Sequence, residues 1–385
     1  MAIADAAVEL TAALVATDTV NPALVPGAPG ERPAVELLAR RLEAGGFEVE
    51  IVGPRERPSL LATARGRGGG SSLALNGHLD TVGAGAMADP FTARIDGDRM
   101  TGRGSCDMKG GVAAMVVAAE QAAAAGTGGD VVLALVADEE HGSIGTEAVL
   151  DHLSGALPDA CIVGEPTWLD VAVAHRGFAV VEVELTGRAA HSSRPEEGAN
   201  AVGHLGRLLA AVEAWDGRLA RRPPHPHAGR GSLMATVAHG GEAPFSLAAT
   251  ARAVVERRTV PGEPPGVAVA EVEAILAALS AQDPAFEGRC RELLARDPWQ
   301  ASGDASTALL LELIDAGMEA AGRPAPRRFG APYWMESALW QAAGVPTVVW
   351  GPAGGGLHAD DEWLDLRQLR DHAVALSRLV AAFCA

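Results

Sequence analysis

The sequence predicts an α/β fold in which a mainly parallel sheet, flanked by helices, is interrupted by an inserted α+β domain. Three observations point to it. Val131–Ala137, Ala160–Val163 and Val345–Trp350 are short continuous apolar runs, as expected of strands buried on both faces of a parallel sheet. Between about residues 172 and 297 the pattern changes to strands and helices in the order β-α-β-β-α-β, a ferredoxin-like arrangement. The length of 385 residues exceeds what one ordinary core fills, so two domains are expected. One comprises residues 1–171 and 298–385, the other residues 172–297.

In chain order, residues 4–16 and 31–45 have helical apolar spacing, separated by the breakers Asn21-Pro22 and Pro26-Gly27. Phe47–Val52 and Leu60–Ala64 read as strands, and Leu73–Leu75 as the strand that delivers NGHLDTV, residues 76–82. Asp96-Gly97-Asp98 is a turn. GRGSCDMKGG, residues 102–111, leads into the Ala-rich helix Val112–Ala125. Asp107 therefore falls at or just before a helix N-terminus, where the backbone dipole favours an ionised carboxylate. In the insertion, Val171–Thr186 reads as one long strand with a glycine at 177, and Gly198–Trp215 as a helix. A Pro/Arg/His loop, Arg218–Gly231, precedes the strands Leu233–His239 and Leu247–Arg257, the helix Pro265–Leu279 and the strand Phe286–Leu293. The chain then returns through helices at 305–321 and Tyr333–Ala343, the strand 345–350 and a final helix, Leu366–Phe383.

With 48% apolar and 21% charged residues, the chain has ample material for a core. The net charge of -18 argues against a nucleic-acid or anionic-membrane surface, since both need clustered Lys and Arg. Cys106, Cys161, Cys290 and Cys384 are far apart, so neither a disulfide framework nor a Cys-type zinc site is expected. MAIADAAVELTAALV carries acids and no basic residue, so it reads as a helix and not as a secretion signal. No charge-free run of eighteen apolar residues occurs, so no membrane span is expected, and the cytoplasm is the expected compartment.

The chemistry lies at the strand ends. His78, Glu139, Glu140, Glu165 and His358 each follow a buried strand by one to eight residues, and Asp107 opens a helix. Ligands of open α/β sheets bind outside the carboxyl ends of the strands. Any one of these residues reads equally well as a solvated loop residue; six on one edge do not. Imidazole and carboxylate without thiolate suit zinc, cobalt or manganese. Two such ions about 3.5 Å apart can share a carboxylate, acidify water and polarise a carbonyl. The Glu139-Glu140 tandem supplies two kinds of group, because sequence neighbours point differently: one can ligate while the other moves a proton.

NGHLDTV, GRGSCDMKGG, DEEHGSIGT, GEPT, GRAAHSSRPEEGANA, ERRTVPGE and GPAGGGLHADDEWL closely resemble, in order and spacing, the blocks of a known family. It is the acetylornithine deacetylase, succinyl-diaminopimelate desuccinylase, aminoacylase and carboxypeptidase family of two-metal amidohydrolases. The resemblance runs from about residue 10 to residue 380. It implies hydrolysis of the amide of an N-acyl amino acid, acetylornithine deacetylase-like, with a dipeptidase or carboxypeptidase as the alternative and a catalytically inactive metal-binding relative as a rival. His78 would bind one ion and His358 the other, with Asp107 bridging and a cis peptide after it. Glu140 and Glu165 would complete the two shells, Glu139 would act as general base and acid, and Asp80 would orient His78. The inserted domain would be a lid that also forms a homodimer. Its His191 would stabilise the oxyanion in the partner's site, Arg258 would receive the substrate's α-carboxylate, and Asn200 would serve packing or the oxyanion side.

Some residues depart from that pattern or lie outside it. Many members carry an asparagine and a proline where this chain has Phe245 and Ala248, so the substrate contact of that asparagine does not transfer. Tyr333, Trp334 and Glu336 stand where members often have a short Thr-acid pair, and they read equally as pocket lining or as a helix face packed under the site. His225 and His227 read as solvent-exposed loop residues, and His141, His152, His175, His204, His239 and His372 as structural. Cys106 has no histidine arrangement that would make it a nucleophile.

Overall fold

The computed structural model describes residues 3–385. The chain forms two compact units. One holds the chain up to Val173, Ala301–Phe329 and Met335–Ala385; the other holds Ala174–Gln300 and Gly330–Trp334.

The first unit opens with α1 (Ile3–Val15) and α2 (Arg32–Ala44), followed by β1 (Glu48–Val52), β2 (Ser59–Ala64) and β3 (Leu73–His78). β4 (Arg94–Asp96) and β5 (Arg99–Thr101) form a hairpin about the Gly97 turn. After an irregular turn at Ser105–Lys109 come α3 (Gly110–Ala125), β6 (Val131–Val136), α4 (Ile144–His152) and β7 (Ala160–Val163), and then β8 (Val171–His175), which crosses into the second unit. The sheet order is β1-β2-β6-β3-β7, and β8 belongs to its far margin. β3 pairs in parallel with both β6 and β7, and these strands are buried along their whole length. That explains their unbroken apolar runs. α3 packs against α1 and the C-terminal helix and lies against β3 and β6. Gly111 permits this, because a Cβ there would meet the Gly164 carbonyl oxygen at 2.2 Å.

The second unit continues with β9 (Gly177–Thr186), α5 (Ala201–Leu219), β10 (Ser232–Gly240), β11 (Thr250–Thr259), α6 (Val267–Gln282), β12 (Glu287–Arg296) and β13 (Trp299–Gln300). Its four-stranded sheet has the order β10-β11-β9-β12, with every pair antiparallel. Val181, Val183 and Leu185 of β9 alternate inward and share a core with Leu208, Val255, Val272 and Phe286, under α5 and α6.

The chain returns through α7 (Ala305–Ala320), β14 (Arg328–Ala331), α8 (Ser337–Ala342), β15 (Thr347–Val349), β16 (Gly354–Gly355), β17 (Trp363–Asp365) and α9 (Leu366–Phe383). β15 inserts between β7 and β8, parallel to β7. β16, β17, β5 and β4 form a small separate antiparallel sheet. Among the described residues, no helix is long and apolar enough to cross a membrane.

Four features differ from the sequence expectation. The large sheet is mixed: its centre is parallel, while β1-β2-β6 and β15-β8 are antiparallel. The short loop between β1 and β2 can only return the chain antiparallel. Val171–Thr186 is two strands in two sheets, broken at Arg176, whose N–H donates to the Ala331 carbonyl. Gly177 allows the crossover, because a Cβ there would stand 2.4 Å from the Arg296 carbonyl oxygen. The helix expected from Tyr333 begins only at Ser337, because Gly330–Trp334 joins the second unit: Gly330 lies tight against the His227 backbone and Trp334 meets His175 and Phe178 edge-on. α4 and the small sheet were not anticipated, since they are short and their apolar pattern is weak.

Candidate metal centre

The parallel centre of the sheet gathers the candidate residues. His78 is the last residue of β3, Asp138-Glu139-Glu140 follow β6, and Glu165 follows β7. His358 lies on the loop from β16 to β17, with a left-handed φ of 61°. Asp107 sits in the turn before α3, outside the helix, and the Asp107–Met108 peptide is cis.

These groups meet. Asp107 Oδ1 is 3.2 Å from His78 Nε2, and Asp107 Oδ2 is 3.3 Å from His358 Nε2. His78 Nε2 also faces Glu165 at 3.7 Å, and His358 Nε2 faces Glu140 at 3.0 Å. Donor atoms of His78, Glu139 and Glu165 lie within 4.8 Å of one another, as do those of His78, Asp107 and Glu140. His78 Nδ1 is 2.9 Å from the Asp80 carbonyl oxygen. With Nδ1 donating there, the Nε2 lone pair faces the carboxylates, as a metal ligand requires.

Burial, then the charge of Glu165, pushes the Glu139 carboxyl well above the ordinary carboxylate range. Burial and Asp107 push up both Glu140 and Glu165. Burial also acts on Asp107, but hydrogen bonds from His358 and His78 hold it low. Burial would depress His78, yet Glu165, Asp107 and Asp80 raise it well above 6.5. Asp107 and Glu140 raise His358 to about 10. Four carboxylates and two imidazoles converge here, with His78 and Glu165 buried and Asp107, Glu139 and Glu140 partly buried. Donor set, spacing and excess negative charge all fit divalent ions.

Asp80 faces His78 Nδ1 and also serves the acidic tandem. Its carboxylate oxygen is 3.6 Å from His78 Nδ1, and its main-chain carbonyl makes the close contact. The carboxylate also accepts from Glu139 N (3.1 Å), Glu140 N (3.2 Å) and Asn21 Nδ2 (2.8 Å). Asp80 thus holds both the His78 strand end and the acidic tandem. Behind it, Asn21 also donates to Asp138 and Arg57 bridges Asp138 and Glu31; Asn21, Asp138 and Glu31 are buried. Sequence reading missed this second layer; Asn21 showed only as a chain breaker beside Pro22. Cys106 is buried, and burial pushes its thiol up, away from the thiolate a nucleophile needs. Glu336 is buried, and burial raises its carboxyl to about 8.

The remaining candidates belong to the second unit. His191 is exposed, and its Nδ1 accepts from Ser193 N at 3.1 Å, which leaves the proton of the neutral ring on Nε2. Arg258 is partly exposed, with Nε donating to Glu256 at 2.6 Å and its guanidinium 5.4 Å from the Phe178 ring. Its neighbour Arg257 is fully buried between Glu263 and Glu271. Asn200 is the N-cap of α5; its Oδ1 accepts from Val202 N and Ala248 N. Phe245 is 74% exposed with a left-handed φ of 67°.

Comparison with known proteins agrees with the geometry. The family model of peptidase family M20/M25/M40 matches residues 74–382. The acetylornithine deacetylase of Myxococcus xanthus is 31% identical over 371 residues, covering 91% of this chain and 92% of its own. The succinyl-diaminopimelate desuccinylase of Dinoroseobacter shibae is 37% identical over 215 residues, covering 52% and 55%. A dinuclear metal binding M20 peptidase of Bacillus subtilis superposes with a TM-score of 0.76 at 14% identity, covering 99% of this chain and 97% of its own, a likeness of fold alone.

Proposed function

The chain belongs to peptidase family M20/M25/M40, a family of hydrolases of amide and other C–N bonds, and on that premise we propose that it is a metal-dependent deacylase of N-acyl amino acids, acetylornithine deacetylase-like. The observation that carries this reading is the Asp107 carboxylate set between two histidines, each of which faces a further glutamate. The match to a deacetylase over nine-tenths of both chains supports the acyl amino acid as substrate.

In this reading His78 and Glu165 would hold one ion, His358 and Glu140 would hold the other, and Asp107 would serve both. The donor types favour zinc, with cobalt or manganese as substitutes. Divalent ions bound there supply Lewis acidity to the acyl carbonyl and lower the pKa of water. Glu139, beside the His78–Glu165 pair, takes the proton of the attacking water and returns it to the leaving nitrogen. The amide is thereby split to a carboxylate and a free amino acid. Asp80 keeps Glu139 and Glu140 in place through their N–H groups. His191, with its proton on Nε2, is suited to donate to an oxyanion, and the Arg258 guanidinium to receive an α-carboxylate. A homodimer through the second unit would let His191 of one subunit serve the other; a fully active protein of monomer mass would refute it.

The test is a substrate panel with zinc- or cobalt-loaded protein: N-acetylornithine, other N-acetyl and N-succinyl amino acids, and several dipeptides, each with a chelator control. Chelator-sensitive release of amine from N-acyl amino acids is the expected result. Turnover of dipeptides alone would make the protein a peptidase of the same mechanism. Two bound ions with no turnover would leave a metal-holding protein without this activity.

A further inference from the structure

Glu362 does for the Asp107 turn what Asp80 does for the acidic tandem. It is 1% exposed, and its carboxylate accepts four hydrogen bonds. Oε2 accepts from Arg103 Nη1 and Gly104 N, both at 2.8 Å. Oε1 accepts from Cys106 N at 2.9 Å and Asp107 N at 3.0 Å. Three of the four donors are backbone N–H groups of the segment that carries Asp107. That segment is irregular, with φ -116° and ψ 94° at Asp107 and φ -129° and ψ 34° at Met108. Buried amides in such a turn need an acceptor from elsewhere, and Glu362 is that acceptor for residues 104, 106 and 107.

The small sheet explains how a residue so distant in sequence arrives there. β17 pairs with β5 in the register Trp363↔Thr101 and with β16 in the register Gly355↔Trp363. Glu362, one residue before Trp363, therefore comes alongside the residues that follow Thr101. The same strand closes the loop that carries His358.

We propose that Glu362 is the positioning residue of the metal pair, setting the Asp107 carboxylate between His78 and His358 without touching either ion. The inference rests on the reading of Asp107 as the shared ligand. It requires an acceptor-only group of this length. A glutamine would turn an NH2 toward two of the donors, and an aspartate would fall short by about one C–C bond, ~1.5 Å.

Glu362→Gln and Glu362→Asp test this together. Circular dichroism of each metal-free variant verifies the fold, calorimetric titration with zinc measures affinity and stoichiometry, and the visible spectrum of the cobalt protein reports ligand geometry. Wild type is expected to bind two ions. Both variants are expected to lose about 10- to 100-fold in affinity for at least one ion, with an altered cobalt spectrum and, for any substrate turned over, a fall in kcat with little change in KM. If Glu362 merely balanced the charge of Arg103, the aspartate variant would bind both ions like wild type, and that result overturns the proposal. So does wild-type affinity, within twofold, with an unchanged spectrum in both variants. Should the glutamine variant fail to fold, the aspartate variant decides alone. Absence of tightly bound ions in wild type would instead refute the metal centre itself.

Discussion

Glu139 and Glu140 are adjacent, and both backbone N–H groups donate to Asp80, yet their carboxylates serve different neighbours: Glu140 faces His358, and Glu139 lies with His78 and Glu165. Glu139→Gln should therefore lower kcat by about 10²- to 10⁴-fold while both ions remain bound; metal analysis of the dialysed variant checks the second half. A variant that loses an ion would make Glu139 a ligand instead. Residue type and place, after an apolar run for His78, Glu140, Glu165 and His358 and before a helix for Asp107, are legible in sequence, and these five converge. Asn21, Arg57 and Glu362 are not legible there, because each acts through a partner 59 to 259 positions away, a pairing that only the fold creates. Asp80 partners His78, as the H-x-D spacing suggests, and its carboxylate also takes the amides of the tandem, which local spacing does not encode.

Among the elements, α9 carries a testable burden. His372 is fully buried, edge-on to Trp350 with ring centroids 4.4 Å apart, and burial pushes its pKa down from 6.5 to about 3. The folded chain keeps this imidazole neutral, while the unfolded chain protonates it below pH 6.5. Stability therefore falls as pH drops through 6.5, and this loss stops growing near pH 3. His372→Leu should flatten that limb. Between pH 7 and 5 the metal-free variant should lose about 1 to 2 kcal/mol less than wild type in denaturant unfolding; parallel curves would contradict the assignment. Buried strands and amphipathic helices such as α9 were legible, since their pattern follows from burial. The break at Arg176 was not, because the alternation of Val171–Thr186 continues across it and only the two sheets tell the halves apart.

For the whole molecule, the -18 net charge and the crowded buried carboxylates mean that stability is tied to cations. Ions that bind the folded chain alone stabilise it by about 2.7 kcal/mol at a free concentration 100 times Kd. Chelation should lower the melting temperature by several degrees, and zinc or cobalt should restore it. Magnesium should restore less, since it takes imidazole poorly. A melting temperature indifferent to chelator would contradict a metal centre in the folded chain. The sequence pattern changes near residue 172, and the two compact units divide between Val173 and Ala174; Gly330–Trp334, which belongs to the second unit, is too short to carry a composition of its own.

β15 has a consequence for synthesis. It lies between β7 and β8, yet it leaves the ribosome only after the entire second unit and α7 have been made. Until then β7 exposes a row of unpaired amides and carbonyls beside a fully apolar strand, an open template for another nascent chain. Slowing the ribosome before Thr347 should increase aggregation, and slowing it after Val349 should not.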